Sequence, residues 1–336
     1  MVKDSIFVAV VAADELYLTQ TIKSLFSTAS GQTRIHVGIC VQDVLIPKQN
    51  IEDTEHIDVV RIEYKNFFGV GTPRQIALSL ISGQDYCLMI DGHMIFEQNW
   101  DLNLIKLSKE ITCVFDKNVI SGRTMNWYFD ENRQLTKHQY GGQSNLDYLG
   151  LFLNTEVSHM SPSHKHGQPA VSLENRKERQ VQITKNKFVV RQDVVSCNFL
   201  FGKSEIFDEV MPDSKIIYTG DESTIGLRLL TRGYEILTPD APIAYHLLKQ
   251  ADVNYSHSLN WQPYHPQNKT SPSYWLAKRH FDSLQRVKEI FTGKILGEWG
   301  APSLERLSVY EQRIGTSFKD FYQKLEYLQT KQDCHG

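Results

Sequence analysis

Two clusters of residues in this chain have the types and spacing to do chemistry. The apolar run Tyr86-Cys87-Leu88-Met89-Ile90 ends abruptly in Asp91-Gly92-His93, a carboxylate, a glycine and an imidazole. Residues two apart on an extended chain point to the same side, and the glycine between them carries no side chain to obstruct a ligand. One hard oxygen and one borderline nitrogen can then share a divalent ion. The second cluster is Asp221-Glu222, set after Gly220 and before a helical pattern in which Ile225, Leu227, Leu229 and Leu230 recur up to Arg232 and Gly233. Acidic groups at a helix N-terminus are favoured by the helix dipole. A carboxylate pair there can also bind hydroxyls or steady a transition state that gains positive charge. Each cluster has an ordinary alternative: a capping Asp beside a surface His for the first, and simple helix capping for the second.

The elements that must position these groups alternate between strands and helices. The run before Asp91 suits a central strand of a parallel sheet, where ligands collect beyond the carboxyl ends. Ile6 to Ala12 reads as a first buried strand. Glu15 to Thr28 reads as an amphipathic helix capped by Asp14, with Leu16, Thr19, Ile22, Leu25 and Phe26 on one face. Ile35 to Val41 makes a second strand and Ile57 to Tyr64 a third, less buried because Asp58, Arg61 and Glu63 interrupt it. Pro73 starts a helix through Ile81, a further helix runs from Trp100 to about Lys109, and Val119 to Phe129 forms a strand. Periodicity fades from about Gly141 to Arg191, where basic residues accumulate as in a loop or insertion. Val194 to Phe201, Tyr234 to Leu237 and Ile243 to His246 read as strands. Beyond them Tyr255, Trp261, Tyr264, Tyr274 and Trp275 form an aromatic loop that either stacks on a polar ligand or packs on the domain. Two helices close the pattern, one with Ala277, Phe281, Leu284, Val287 and Phe291 on a face, the other with Leu304, Leu307, Tyr310 and Ile314. Alternating elements of this kind predict a doubly wound α/β sheet.

Composition narrows the classes. With 336 residues the chain can bury a sizeable core, and 36 basic against 39 acidic residues leave a charge of −3, no global footprint for nucleic acid or a membrane. Five cysteines, an odd number set mostly in apolar runs, read as core residues in a reducing compartment. No basic leader with a cleavage site and no run of about 20 apolar residues is present, so the expectation is a cytoplasmic protein without a membrane partner. Gly69 and Gly71 do not make a dinucleotide or Walker fingerprint. His159, His164 and His166 lack the Cys pairs of a closed zinc site.

Three ordered blocks carry a resemblance: Gly69 to Asp101, with Arg74, Asp91-Gly92-His93 and Asn99-Trp100-Asp101; Ser196 to Phe201; and Gly220-Asp221-Glu222 through Tyr245-His246-Leu247. Together they resemble the GlcNAc-transferase family whose known members modify hydroxyproline on a cytoplasmic protein, and more distantly the polypeptide GalNAc-transferases. The resemblance implies a GT-A fold, with a Rossmann-like, mostly parallel sheet flanked by helices and a helical C-terminal appendage. It implies a UDP-sugar donor, retention of configuration, and a divalent ion held by Asp91, His93 and His246. Nitrogen ligands tilt the choice of ion toward Mn2+ over Mg2+. It also implies catalytic roles for Asp221 and Glu222, donor contacts from Asp14, Arg74, Asp91 and Gly92, and acceptor contacts from Asn198 and Trp261. Residues 1–250 would form the transferase domain, with a nucleotide-sugar half to 110 and an acceptor half with a basic loop at about 160–191; residues 251–336 would add the aromatic loop and helices. Ala13 stands where the family carries an Arg, and Gly69-Val70 where it carries Gly-Pro. The acceptor hydroxyl sits on a protein by resemblance; a hydroxymethylated DNA base is the alternative that the basic stretch suggests. The rival from another class is a non-catalytic sugar-nucleotide or glycan-binding protein of the same fold.

Overall fold

A computed structural model describes residues 4–13, 15–42, 51, 53–62, 69–122, 124–129, 134–137, 179–218, 220–239, 241–247 and 272–323. Asp14 and Trp261 lie outside the described residues. Four strands run parallel in the order β3-β2-β1-β4: β1 (Ser5–Ala13), β2 (Arg34–Gln42), β3 (Ile57–Arg61) and β4 (Tyr86–Asp91). The sheet continues past β4 through β11 (Phe199–Lys203), β6 (Asn118–Ser121), β12 (Glu235–Pro239), β10 (Lys187–Gln192) and β9 (Gln180–Thr184), with β11 antiparallel to β4. Chain order reverses between β1 and β4, which makes their carboxyl ends the topological switch point where such sheets leave a crevice. A smaller sheet stands beside it in the order β5 (Met94–Phe96), β13 (Ala244–Leu247), β7 (Met125–Phe129), β8 (Leu135–Lys137).

The two-residue period of β1 and β4 divides the core. Ile6, Val8, Val10, Leu88 and Ile90 face α1 (Leu18–Ser27) and α3 (Trp100–Thr112), while Phe7, Ala9, Cys87 and Met89 face α2 (Gly71–Leu78) and α5 (Asp221–Thr231). Both faces are covered, which is why these strands read as unbroken apolar runs. A short α4 (Ile206–Glu209) precedes α5. The C-terminal helices α6 (Pro272–Phe291) and α7 (Leu304–Ile314), with a final turn at 318–323, share a buried cluster with Val194, Ile216 and Leu227. Among the described residues no helix is long and apolar enough to cross a membrane.

Several element boundaries differ from the sequence expectation. Helix α1 begins at Leu18 with Tyr17, not Asp14, as its N-cap residue, and among the described residues no side chain caps it. Its buried face is Leu18, Thr21, Ile22, Ser24 and Leu25, rotated from the expected stripe, and Leu16 and Phe26 are exposed. Pro73 is the third residue of α2, which ends at Leu78. The stretch 119–129 is two strands in different sheets, β6 and β7, parted at Gly122, where an added Cβ would lie 2.6 Å from the Thr238 side chain. The end of the basic stretch is a hairpin, β9–β10, that closes the sheet edge and pairs its charges outward, as in Lys187 with Glu110. Phe281 and Leu304 are exposed; α6 buries Ser283, Val287, Ile290 and Phe291.

Candidate active site

Asp91 is the last residue of β4, at the switch point. The chain turns at Gly92-His93 and returns as β5, which pairs antiparallel with β13 so that His246 lies opposite Met94. That pairing brings the two imidazoles together, with Nε2 atoms 2.7 Å apart and ring centroids 4.3 Å apart. His246 Nε2 is also 3.5 Å from Asp91 Oδ2. One carboxylate oxygen of Asp91 and one nitrogen of each histidine lie within 4.8 Å of one another, all on half-buried residues. An oxygen and two imidazole nitrogens converging at a crevice can hold a divalent metal ion. Burial works against ionisation of Asp91, but the His246 hydrogen bond and the nearby His93 and Arg74 outweigh it and hold the carboxyl below the usual carboxylate range.

The turn that presents His93 is fastened from three sides. Helix α1 lies along the free edge of β5 and substitutes for a neighbouring strand: Thr21 Oγ1 donates to the Gly92 carbonyl at 2.8 Å and accepts from Met94 N at 2.9 Å, and Ser24 Oγ accepts from Phe96 N at 2.9 Å. This explains why two hydroxyls sit on the buried face of α1. From the other side the His93 carbonyl accepts from the Trp127 indole at 3.0 Å and from Leu247 N at 3.1 Å. Behind it the buried Glu15 carboxylate meets His93 Nδ1 at 2.6 Å. Gly92 leaves room for that carboxylate, since a Cβ there would stand 3.0 Å from Glu15 Cγ.

The second acidic cluster opens α5, where Gly220 takes φ +90 as N-cap, a conformation glycine adopts without steric cost. Asp221 is buried and ion-paired to the Arg74 guanidinium, which also reaches 3.6 Å from Asp91 Oδ1. Arg74 itself is 6% exposed, so it is a buried link between the two clusters and not a surface ion pair. Burial pushes the Asp221 carboxyl up, against the attraction of Arg74 and the Cys197 thiol hydrogen bond. Glu222 Oε1 accepts from Cys197 N at 2.8 Å and Ser196 Oγ at 3.3 Å, and Ser196 Oγ donates to Asn198 Oδ1 at 2.9 Å. Burial raises Glu222 to about 7.

The structure thus brings Asp91, Gly92, His93, His246, Arg74, Asp221, Glu222 and Asn198 to one end of the sheet. Glu15 and Trp127 join them without having been singled out by sequence reasoning, and Ser196, the first residue of the second block, joins them without having been given a role. Glu15 had one available signal: it is a carboxylate just past the end of the strand that neighbours β4. The Asn99-Trp100-Asp101 block is structural. Trp100 is fully buried and donates to the Leu25 carbonyl at 3.0 Å, and Asp101 accepts from Ser30 N at 2.9 Å. A recess of about 550 Å3 at the amino-terminal ends of β1 and β2, lined by Ser5, Phe26, Arg34, His36 and His56 among others, contains none of these residues.

Comparison with known proteins follows the same line. GalNAc-T7, crystallised with UDP, GalNAc and Mn2+, matches with a TM-score of 0.55 and 15% identity over 97% of this chain and 57% of that one. Residues 1–349 of S. aureus TarS, in complex with UDP-GlcNAc, match with a TM-score of 0.41 and 14% identity over 75% of this chain and 60% of that one. The chain therefore spans less than two thirds of the length of either structure, and the likeness to GalNAc-T7 is one of fold. No curated protein sequence gives a significant match. The sequence profile described as Glycosyltransferase (GlcNAc) matches residues 44–294, well over half of the chain, from just after β2 through Asp91, His93 and His246 to α6. The chain has a GT-A-type fold and belongs to this GlcNAc glycosyltransferase family.

Proposed function

We propose that this enzyme moves a sugar from a UDP-sugar to an acceptor hydroxyl with retention of configuration, using a divalent ion, Mn2+ in preference to Mg2+. The observation that carries the reading is the convergence of Asp91, His93 and His246 at the switch-point crevice. The GalNAc-T7 structure, of the same fold, contains UDP, GalNAc and Mn2+, which supports it. An ion held by these three residues would neutralise diphosphate charge and orient the donor. Arg74, already placed between Asp91 and Asp221, lends a fixed positive charge to the diphosphate side. Gly92 keeps the backbone open to the donor, and Asp14, one residue past β1, serves the base or ribose. Asp221 and Glu222 face the positive charge that develops on the sugar as its bond to phosphate breaks and the bond to the acceptor oxygen forms. Glu222, poised near neutrality, can accept or donate a hydrogen bond to a hydroxyl. Asn198 beside it, and Trp261, serve the acceptor.

We place the reaction in the cytoplasm, in keeping with Cys40, Cys87, Cys113 and Cys197 all being free thiols. The acceptor hydroxyl is assigned to a protein side chain. Salt-sensitive binding to duplex DNA would move that assignment to a modified base, because phosphate contacts release counterions. The test of the core reading is incubation with a panel of UDP-sugars and Mn2+, following UDP release and thermal unfolding. One UDP-sugar is expected to be consumed only with the ion present and to protect against unfolding. Indifference to every UDP-sugar in both readouts would overturn the proposal.

A further inference from the structure

We propose that Glu15 is the positioning residue for His93, fixing its tautomer so that Nδ1 carries the proton and the Nε2 lone pair faces Asp91 and His246. The inference rests on the reading of Asp91, His93 and His246 as a metal site and deepens it. Glu15 Oε2 lies 2.6 Å from His93 Nδ1, and the Glu15 side chain is 2% exposed. Its other oxygen, Oε1, accepts from Tyr17 N at 3.0 Å, so both ends of the carboxylate are anchored. An ionised carboxylate can only accept, which obliges Nδ1 to donate, and the neutral ring that binds a metal then keeps its lone pair on Nε2. The fold prepares this contact. In the β1–β4 register Val11 stands opposite Asp91, so the chain leaving β1 rises beside the turn leaving β4. Gly92 then removes the one Cβ that would press on Glu15 Cγ, at 3.0 Å, and on Ala12 Cβ, at 3.2 Å. The Nε2 so prepared is the atom 2.7 Å from His246 Nε2.

A histidine that ligates through Nε2 depends on the partner of its Nδ1 for ring orientation and basicity, and loss of such a partner typically costs 10- to 100-fold in metal affinity. Glu15→Gln keeps the volume and removes the charge that forces the tautomer, since an amide can present either an oxygen or an NH2 to Nδ1. The experiment compares the whole chain with this variant. The His93 tautomer is read in the metal-free proteins by 15N NMR of the imidazoles, and Mn2+ affinity is read from the EPR signal of the free ion. The expected result is a Nδ1–H tautomer in the wild type, a mixture in Glu15→Gln, and Mn2+ binding weakened about 10- to 100-fold in the variant. A wild-type His93 that carries its proton on Nε2 overturns the inference with no variant needed. Equal Mn2+ affinity in the two proteins, with the tautomer unchanged, overturns it as well. Failure of the wild type to bind Mn2+ would instead remove the metal-site reading, while the tautomer measurement still decides whether Glu15 orients His93.

Discussion

The two halves of the site handle charge in opposite ways. Around Asp91, His93 and His246 the side chains keep 24%, 16% and 23% of their surface exposed, and their donor atoms converge on one another. Around Arg74 and Asp221 the side chains keep 7% and 1%, and the two charges are paired in the core. The first arrangement is built to receive something, because a carboxylate oxygen and two imidazole nitrogens that converge can share a cation. The second is built to hold shape, because a buried pair is costly to break and contributes little when intact. Arg74 joins them, and its reach to Asp91 makes the stable half a support for the receptive one.

Three substitutions can break or sharpen that contrast. Asp91→Ala should lower transfer by about 100- to 1000-fold with a stability change of about 1 kcal/mol or less, because it removes a receptive group that does little for the fold. Transfer at the wild-type rate in metal-free buffer would erase the distinction between the halves. Arg74→Met should do the reverse in solution unfolding, costing about 3–5 kcal/mol in a urea titration by stranding the Asp221 carboxylate in the core. A loss below about 1 kcal/mol, the scale of an exposed pair, would show that the pair is not effectively buried. The smallest effect is the pH dependence contributed by Glu222. Its native value is raised from 4.5 to about 7, so across that window the folded chain keeps a proton that the unfolded chain releases. Stability from this group is therefore full below 4.5, falls as pH rises toward 7 and is level above it. Glu222→Gln should flatten that part of a plot of Tm against pH; an unchanged slope would assign it to other groups.

Much of the parallel half of the sheet was legible because β1 and β4 are buried on both faces and leave continuous apolar runs. Helix α1 was harder to phase. Thr21 and Ser24 are buried for their hydrogen bonds to the turn and to β5, while Leu16 lies before the helix and Phe26 lines a recess, so a purely apolar stripe points the wrong way. The β9–β10 hairpin was hidden by its charges, which an edge position tolerates and a central strand would not. Within the site, Asp91 and His93 are local to one another and visible as a motif. His246 needed the family resemblance, and Glu15 needed coordinates, because its place past the end of β1 marks it as near the crevice without naming a partner 78 positions away.

The β5–β13 pairing joins His93 to His246 across 153 positions of chain. An ion held by both would act as a removable cross-link, closing a loop nearly half as long as the protein. The native ladder already closes that loop, so the cross-link would tell on the unfolding chain, whose ends the ion would keep together at a cost in entropy that grows only slowly with loop length. The metal would then serve as a clasp on the fold as well as a ligand for the donor.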